Sequence, residues 1–162
     1  MTTPPSVTVN GSTSPFSASG ILSAPVFSLA VADFHPPKRV AVKLWNTYVN
    51  NVDGCTGLKL LHIPTDEVKI YSTIEQPVGA PLDHHALCLA IFYATTITLE
   101  ENEALDLLGQ ARSIQLLKFK VGLEQAFAQG DFLDRPTLTG LHALAIYLVY
   151  LSFVVTLGST VI

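Results

Sequence analysis

Apolar residues at Val40, Leu44, Trp45, Tyr48, Val49 and Val52 recur every three or four positions, the spacing that lays one stripe of a helix against a core. Gly54 and Gly57 follow as stop signals. A short apolar stretch, Leu58 to Ile63, leads to Pro64. Thr65 is placed to cap a second helix, with Asp66 and Glu67 in its first turn, where the helix dipole favours acids. That helix is expected to end near Gln76-Pro77, and Pro77 to Pro81 reads as a linker. From Leu82 to Ile97 the chain is apolar on almost every face after His85, the mark of a central buried helix. Thr98 and Glu101 have capping-box spacing and predict a short helix that ends at Gly109.

Ile114 to Gln129 is the clearest amphipathic segment. Leu116, Phe119, Leu123, Ala126 and Phe127 share one face, Lys118, Glu124 and Gln125 lie elsewhere, and Gly130 is the expected stop. A turn from Asp131 to Pro136 precedes a last apolar segment, Leu138 to Leu157. Alternating period-2 runs and internal repeats are absent. The expected fold class is all-α, a bundle-like fragment of a larger helical domain, with Leu44, Trp45, Leu87, Ile91, Phe92, Phe119, Leu123 and Phe127 in its core.

Composition adds limits to this picture. Of 162 residues, 49% are hydrophobic and only 14% charged, enough apolar material for one domain's core and too little charge for a chain disordered throughout. Residues 1–37 are rich in Ser, Thr, Pro and Gly and read as a flexible leader. Residues 38–150 then form the helical domain, and 151–162 an apolar tail. The net charge of −4 lacks the basic footprint that phosphate-backbone binding requires, so direct nucleic-acid binding is not expected. Cys55 and Cys88 are too far apart for a CxxC pattern, which leaves no zinc site or disulfide framework and two reduced thiols. Met1 to Gly20 contains no Lys or Arg and no continuous apolar run, unlike a signal peptide. Without one, the glycosylation sequon Asn10-Gly11-Ser12 reads as chance.

The richest cluster for chemistry is Asp83-His84-His85. Adjacent histidines on a helix point about 100° apart, and the pair has no i, i+4 partner, so it is expected to be a polar helix start and not a metal or catalytic site. His35, His62 and His142 are isolated, and His142, inside an apolar helix, is expected to be a hydrogen-bonded core residue. Nucleophile-elbow, GxGxxG and P-loop patterns are missing. No catalytic, cofactor, metal or DNA-binding residue is therefore assigned, and the chain is expected not to be an enzyme. Pro36-Pro37-Lys38-Arg39-Val40 carries too few basic residues for a nuclear import signal and reads as a solvated helix start. After Arg135 no Lys, Arg, Asp or Glu occurs up to Ile162. Gly140 to Ile162 is long enough to cross a bilayer, which takes about 20 apolar residues. It has no basic flank on its C-terminal side, Thr156 to Thr160 is helix-weak, and a buried core helix of a larger domain has the same composition. Two expectations follow: a core helix without covering neighbours, prone to self-association, or the anchor of a small tail-anchored membrane protein.

Several segments in order resemble the fungal-specific transcription factor domain, the middle homology region that follows zinc-binuclear-cluster modules. Leu44-Trp45-Asn46-Thr47-Tyr48-Val49-Asn50-Asn51-Val52-Asp53 is similar to its opening helix. Leu60-Leu61-His62-Ile63-Pro64-Thr65 is similar to its following turn, and Leu87 to Thr95, with Ala90-Ile91-Phe92-Tyr93-Ala94, to its central helix. Phe119 to Leu133 and Leu138 to Ile146 resemble the next two helices. The resemblance spans about residues 35–148. It implies a nuclear regulator of transcription whose helical region acts through other regulatory proteins or a small effector. The family's zinc belongs to a six-cysteine cluster that this sequence lacks, so no cofactor is expected here. Leu151 to Ile162 departs from the family's continuation, as a truncated gene model would.

Overall fold

The computed structural model describes residues 29–54, 57–132 and 134–159. The described residues form six helices, joined by short turns, with no strand among them. They are α1 (Lys38–Thr47), α2 (Ile63–Glu75), α3 (Leu82–Thr98), α4 (Glu101–Leu108), α5 (Arg112–Gly130) and α6 (Leu138–Ser159). A 3-10 turn, Val31–Phe34, precedes α1, and α1 continues into a π-helical turn, Tyr48–Asp53. The all-α expectation holds. The leader through residue 28, its sequon included, lies outside the described residues, as do Cys55 and residues 160–162.

The arrangement follows from α3. All twelve residues from His85 to Thr96 are buried. A helix apolar on every side has to be walled in on every side, and here α5 and α6 pack along it most extensively while α1 and α2 cover the rest. Its two buried threonine hydroxyls return to the backbone: Thr95 Oγ1 donates to the Ile91 carbonyl at 2.9 Å and Thr96 Oγ1 to the Phe92 carbonyl at 2.6 Å. Thr95 also reaches the Leu44 carbonyl at 3.3 Å, which ties α1 to α3. The eight expected core residues are all buried. Trp45 stacks on Tyr48 with centroids 6.0 Å apart, and Phe92 meets Phe119 at 5.8 Å.

Three helix ends differ from the sequence expectation. Helix α2 starts at Ile63, so Thr65 lies inside the first turn and His62 is the cap. Asp66 supplies the missing acceptor by taking the His62 backbone N–H at 3.0 Å. Helix α4 is capped by Glu100, whose N–H donates to the Glu103 carboxylate at 3.0 Å, whereas Thr98 belongs to α3 and donates to the Thr95 carbonyl. Gly109 ends α4 at φ 70°, as expected. Gly130 is helical, and Asp131 takes the left-handed position instead, at φ 52°. Gly130 is needed for space: a Cβ there would lie 2.5 Å from the Phe132 ring.

Val31 and Phe34 are buried and pack with α3 and α5, although their composition groups them with the leader ending at 37. The boundary at 150 falls inside α6, which runs unbroken to Ser159 despite the helix-weak Thr156–Ser159 sequence. Burial does end there, since Tyr150 is the last buried side chain among those described.

Replacing Trp45 with Ala removes the largest fully buried side chain. Chemical denaturation of Trp45→Ala is expected to show about 3–5 kcal/mol less stability at an unchanged denaturant slope. An unchanged midpoint would contradict the packing of α1 on α3.

Candidate functional site: the two faces of the last helix

Helix α6 begins at a polar junction. Thr137 Oγ1 accepts the Gly140 N–H at 3.0 Å, as an N-cap does, and donates to Asp83 Oδ2 at 3.0 Å. Two residues on, Thr139 accepts a hydrogen bond from Lys69 Nζ of α2 at 3.1 Å. Lys69 also donates to Asp66 Oδ1 at 3.1 Å, and Asp66 is only 2% exposed. That carboxylate therefore caps α2, pairs with Lys69 and, through Lys69, holds α6. His142 Nδ1 lies 3.8 Å from Asp66 Oδ2, within ion-pair range when protonated, yet it has no hydrogen-bond partner. The expected hydrogen-bonded core histidine is instead half-buried at the edge of this cluster.

Farther along, Ala143, Ile146, Tyr147 and Tyr150 form the inner face. Tyr147 packs edge-on against Tyr93 at 5.6 Å and donates its hydroxyl to Glu124 Oε1 at 2.6 Å. Burial, with that carboxylate beside it, pushes the Tyr147 phenol well above its ordinary range. The outer face carries no charge. Leu138, Leu141, Leu148 and Ser152 are exposed and Ala145 half-buried. These five positions alternate by three and four residues, the a/d spacing along which a second helix packs. Phe153 and Val154 extend the exposed apolar surface beyond Tyr150. Leu138–Thr156 is long and apolar enough to cross a membrane, and one third of that window is buried within the fold.

The Asp83-His84-His85 cluster separates into contacts of different kinds. Asp83 holds Thr137 and takes the His84 backbone N–H at 3.0 Å. His85 turns inward to His35, its Nδ1 2.8 Å from His35 Nε2. His35 is thus isolated in sequence but paired in space. His62 hydrogen-bonds Thr65 at 2.8 Å. Among the described residues no three His, Cys, Asp or Glu side chains group to hold a metal. Cys88 is free and fully buried, which pushes its thiol up to about 12 and keeps it a thiol at neutral pH. Lys38, the first basic residue of the Pro-Pro-Lys-Arg stretch, pairs with Glu75 of α2. Gln125, read as off the packed face, is buried and donates to the Leu29 carbonyl. The Lys69–Thr139 and His35–His85 pairs span 70 and 50 residues, so no local pattern announces them. Gly122 inside an otherwise good helix was a readable sign of close approach.

No family model and no solved structure matches the chain. The curated relatives it does match are fungal regulators of transcription. It is 29% identical over 117 residues to an aurofusarin cluster transcription factor of Gibberella zeae, a match covering 72% of this chain and 17% of that protein. It is 26% identical over 132 residues to a transcriptional regulator of Aspergillus novofumigatus, covering 82% and 18%. It is 32% identical over 116 residues to a C6 finger domain transcription factor of Aspergillus fumigatus, covering 69% and 15%. The chain thus spans less than a fifth of the length of these relatives. Their names describe transcription factors and not enzymes, so this is a transcription-factor-related region.

Replacing Asp66 with Ala leaves the His62 N–H without its acceptor and the Lys69 ammonium with Thr139 alone. Thermal and denaturant unfolding of Asp66→Ala are expected to show a loss of about 1.5–3 kcal/mol, and Asp66→Asn, which keeps an acceptor for the cap, a smaller one. Equal losses from the two variants would contradict the role of the cap.

Proposed function

We propose that this chain is part of the helical regulatory region of a fungal zinc-cluster transcription factor, the middle homology region. It acts in the nucleus through other regulatory proteins or a small effector, and not by touching DNA. The observation that carries this reading is the set of homologous matches. They cover most of the chain and a small part of each relative, as one segment of a long regulator would. The acidic balance, −4 overall, supports leaving DNA contact to another part of such a protein. The physical route to regulation is the outer face of α6. A heptad-spaced seam of Leu138, Leu141, Ala145, Leu148 and Ser152 suits a partner helix and gives a second copy no charge to repel it.

The test tethers the chain to an unrelated DNA-binding module in a fungal cell and reads a reporter gene, alongside the association state of the purified chain. The expected result is nuclear fusion protein that alters reporter output, and a chain that self-associates. The pair Leu141→Glu and Leu148→Glu should weaken self-association at least about tenfold, equivalent to about 1.4 kcal/mol, with helicity retained. A fusion that leaves the reporter unchanged, or a chain that fractionates with membranes and is released only by detergent, would overturn the reading in favour of a membrane-anchored protein.

A further inference from the structure

The segment Leu29–His35 lies over the junction of α3 and α5 as a strap, held by three contacts of different kinds. At its start, the Gln125 side-chain amide donates to the Leu29 carbonyl. In the middle, Phe34 sits on Gly122: a Cβ there would lie 2.6 Å from Phe34 Cβ and Cγ and 3.2 Å from a Leu89 methyl. Glycine in a helix interior costs about 1 kcal/mol relative to alanine, and what it supplies here is a notch for an aromatic ring. At its end, His35 meets His85 at 2.8 Å and stands edge-on to Phe92, centroids 5.9 Å apart. Within the strap, the Asp33 carboxylate takes the Ala30 N–H at 3.1 Å. Gln125 Oε1 is buried with no hydrogen-bond partner, leaving the junction an unused acceptor beside the side-chain amide that donates to the Leu29 carbonyl.

We propose that this α3–α5 junction is a recognition surface for a short segment carrying an aromatic residue, that Leu29–His35 is its built-in ligand, and that the His35–His85 contact is an acid-sensitive latch. A neutral pair shares one hydrogen between the facing nitrogens. One added proton leaves that hydrogen bond in place, protonation of both rings puts donor against donor, and burial opposes each of the two charges. The charged and titratable groups facing the pair are His84 beside His85 on α3 and Lys118 on α5. Both oppose a positive charge. Burial first, then His85 and Lys118, push His35 down to about 3. Burial also lowers His85, with His84 adding to it and a hydrogen bond to the Pro77 carbonyl opposing. A released strap frees both rings toward the ordinary value near 6.5. The docked state therefore binds fewer protons, so docking is complete above about pH 6.5 and weakens as pH falls below it. For His35 alone the two values correspond to about a 100-fold weaker docking constant at pH 4.5 than at pH 7.5.

Hydrogen exchange of the full chain, read by mass spectrometry at pH 7.5 and 4.5 and corrected for intrinsic rates, tests this. Residues 30–36 are expected to lose at least about tenfold in protection at pH 4.5, while residues 86–96 of α3 keep theirs. His35→Gln, which can still hydrogen-bond His85, should keep the strap protected at pH 7.5 and lose at least about threefold less at pH 4.5. Gly122→Ala, by filling the notch, should unprotect the strap already at pH 7.5, and Phe34→Ala empties the same notch from the strap's side should the first variant fail to fold. A synthetic peptide of residues 29–36 added to the Phe34→Ala chain should restore protection over residues 119–126. Equal strap protection at both pH values, loss of strap and α3 protection together, or the same acid response in His35→Gln would overturn the latch. A peptide that protects nothing would overturn the recognition surface.

Discussion

Burial of α3 on every side from His85 to Thr96 is the constraint on which the other helices depend. A helix with one apolar stripe needs one neighbour, whereas a helix buried at every position from His85 to Thr96 needs a sleeve. That sleeve cannot be built from local contacts, so α1 and α2 have to approach from one side of the sequence and α5 and α6 from the other. The polar atoms that α3 carries inward are therefore satisfied within the sleeve. Thr95 and Thr96 bond to carbonyls one turn back, and His85 finds the strap's histidine. Cys88 has no reason to ionise. Unpaired polar atoms in the same places would cost about as much as a lost hydrogen bond each.

The outer helices are fixed by polar contacts at their ends as much as by packing. Thr137 on Asp83 sets where α6 begins, Lys69 on Thr139 sets its approach to α2, and Tyr147 on Glu124 sets its rotation against α5. Apolar faces alone tolerate sliding by a turn, because one leucine replaces another at similar cost. Directional bonds at three points along α6 remove that freedom. They also keep its outer seam turned away from α3.

Much of this organisation could be read from the chain. Helical periodicity placed the helices to within a few residues and picked out the core, because Trp45, Phe92 and Phe119 sit where both spacing and size demand burial. Caps were less legible. His62 and Glu100 do their work through acids three or four residues on, Asp66 and Glu103, and a threonine nearby is the stronger local signal even where the chain does not use it. Composition assigned Val31 and Phe34 to the leader, since Ser, Thr and Pro around them outweigh two apolar side chains. The binding partner of those side chains, the Gly122 notch, lies far along the chain. The same distance hid the histidine pair and the Lys69–Thr139 bond. Of the candidate site, the uncharged run after Arg135 was plain, but its division into an anchored inner face and a free-facing seam depends on tertiary contacts.

That division bears on how an uncharged helix is to be understood. Length and hydropathy treat Leu138–Thr156 as one object, and on those grounds a lipid-facing span and a core helix are the same. They differ in what the polar atoms along the helix meet. A span facing lipid on all sides leaves Thr139 and the Tyr147 hydroxyl without partners in hydrocarbon, at a cost of several kcal/mol each. Here both are engaged, by Lys69 and Glu124, on the face turned to α2, α3 and α5. The opposite face has Ala145 and Ser152 set among leucines, small residues that let another helix come close. A helix built this way has one side committed to its own fold and the other left exposed and uncharged, so hydropathy alone does not describe it.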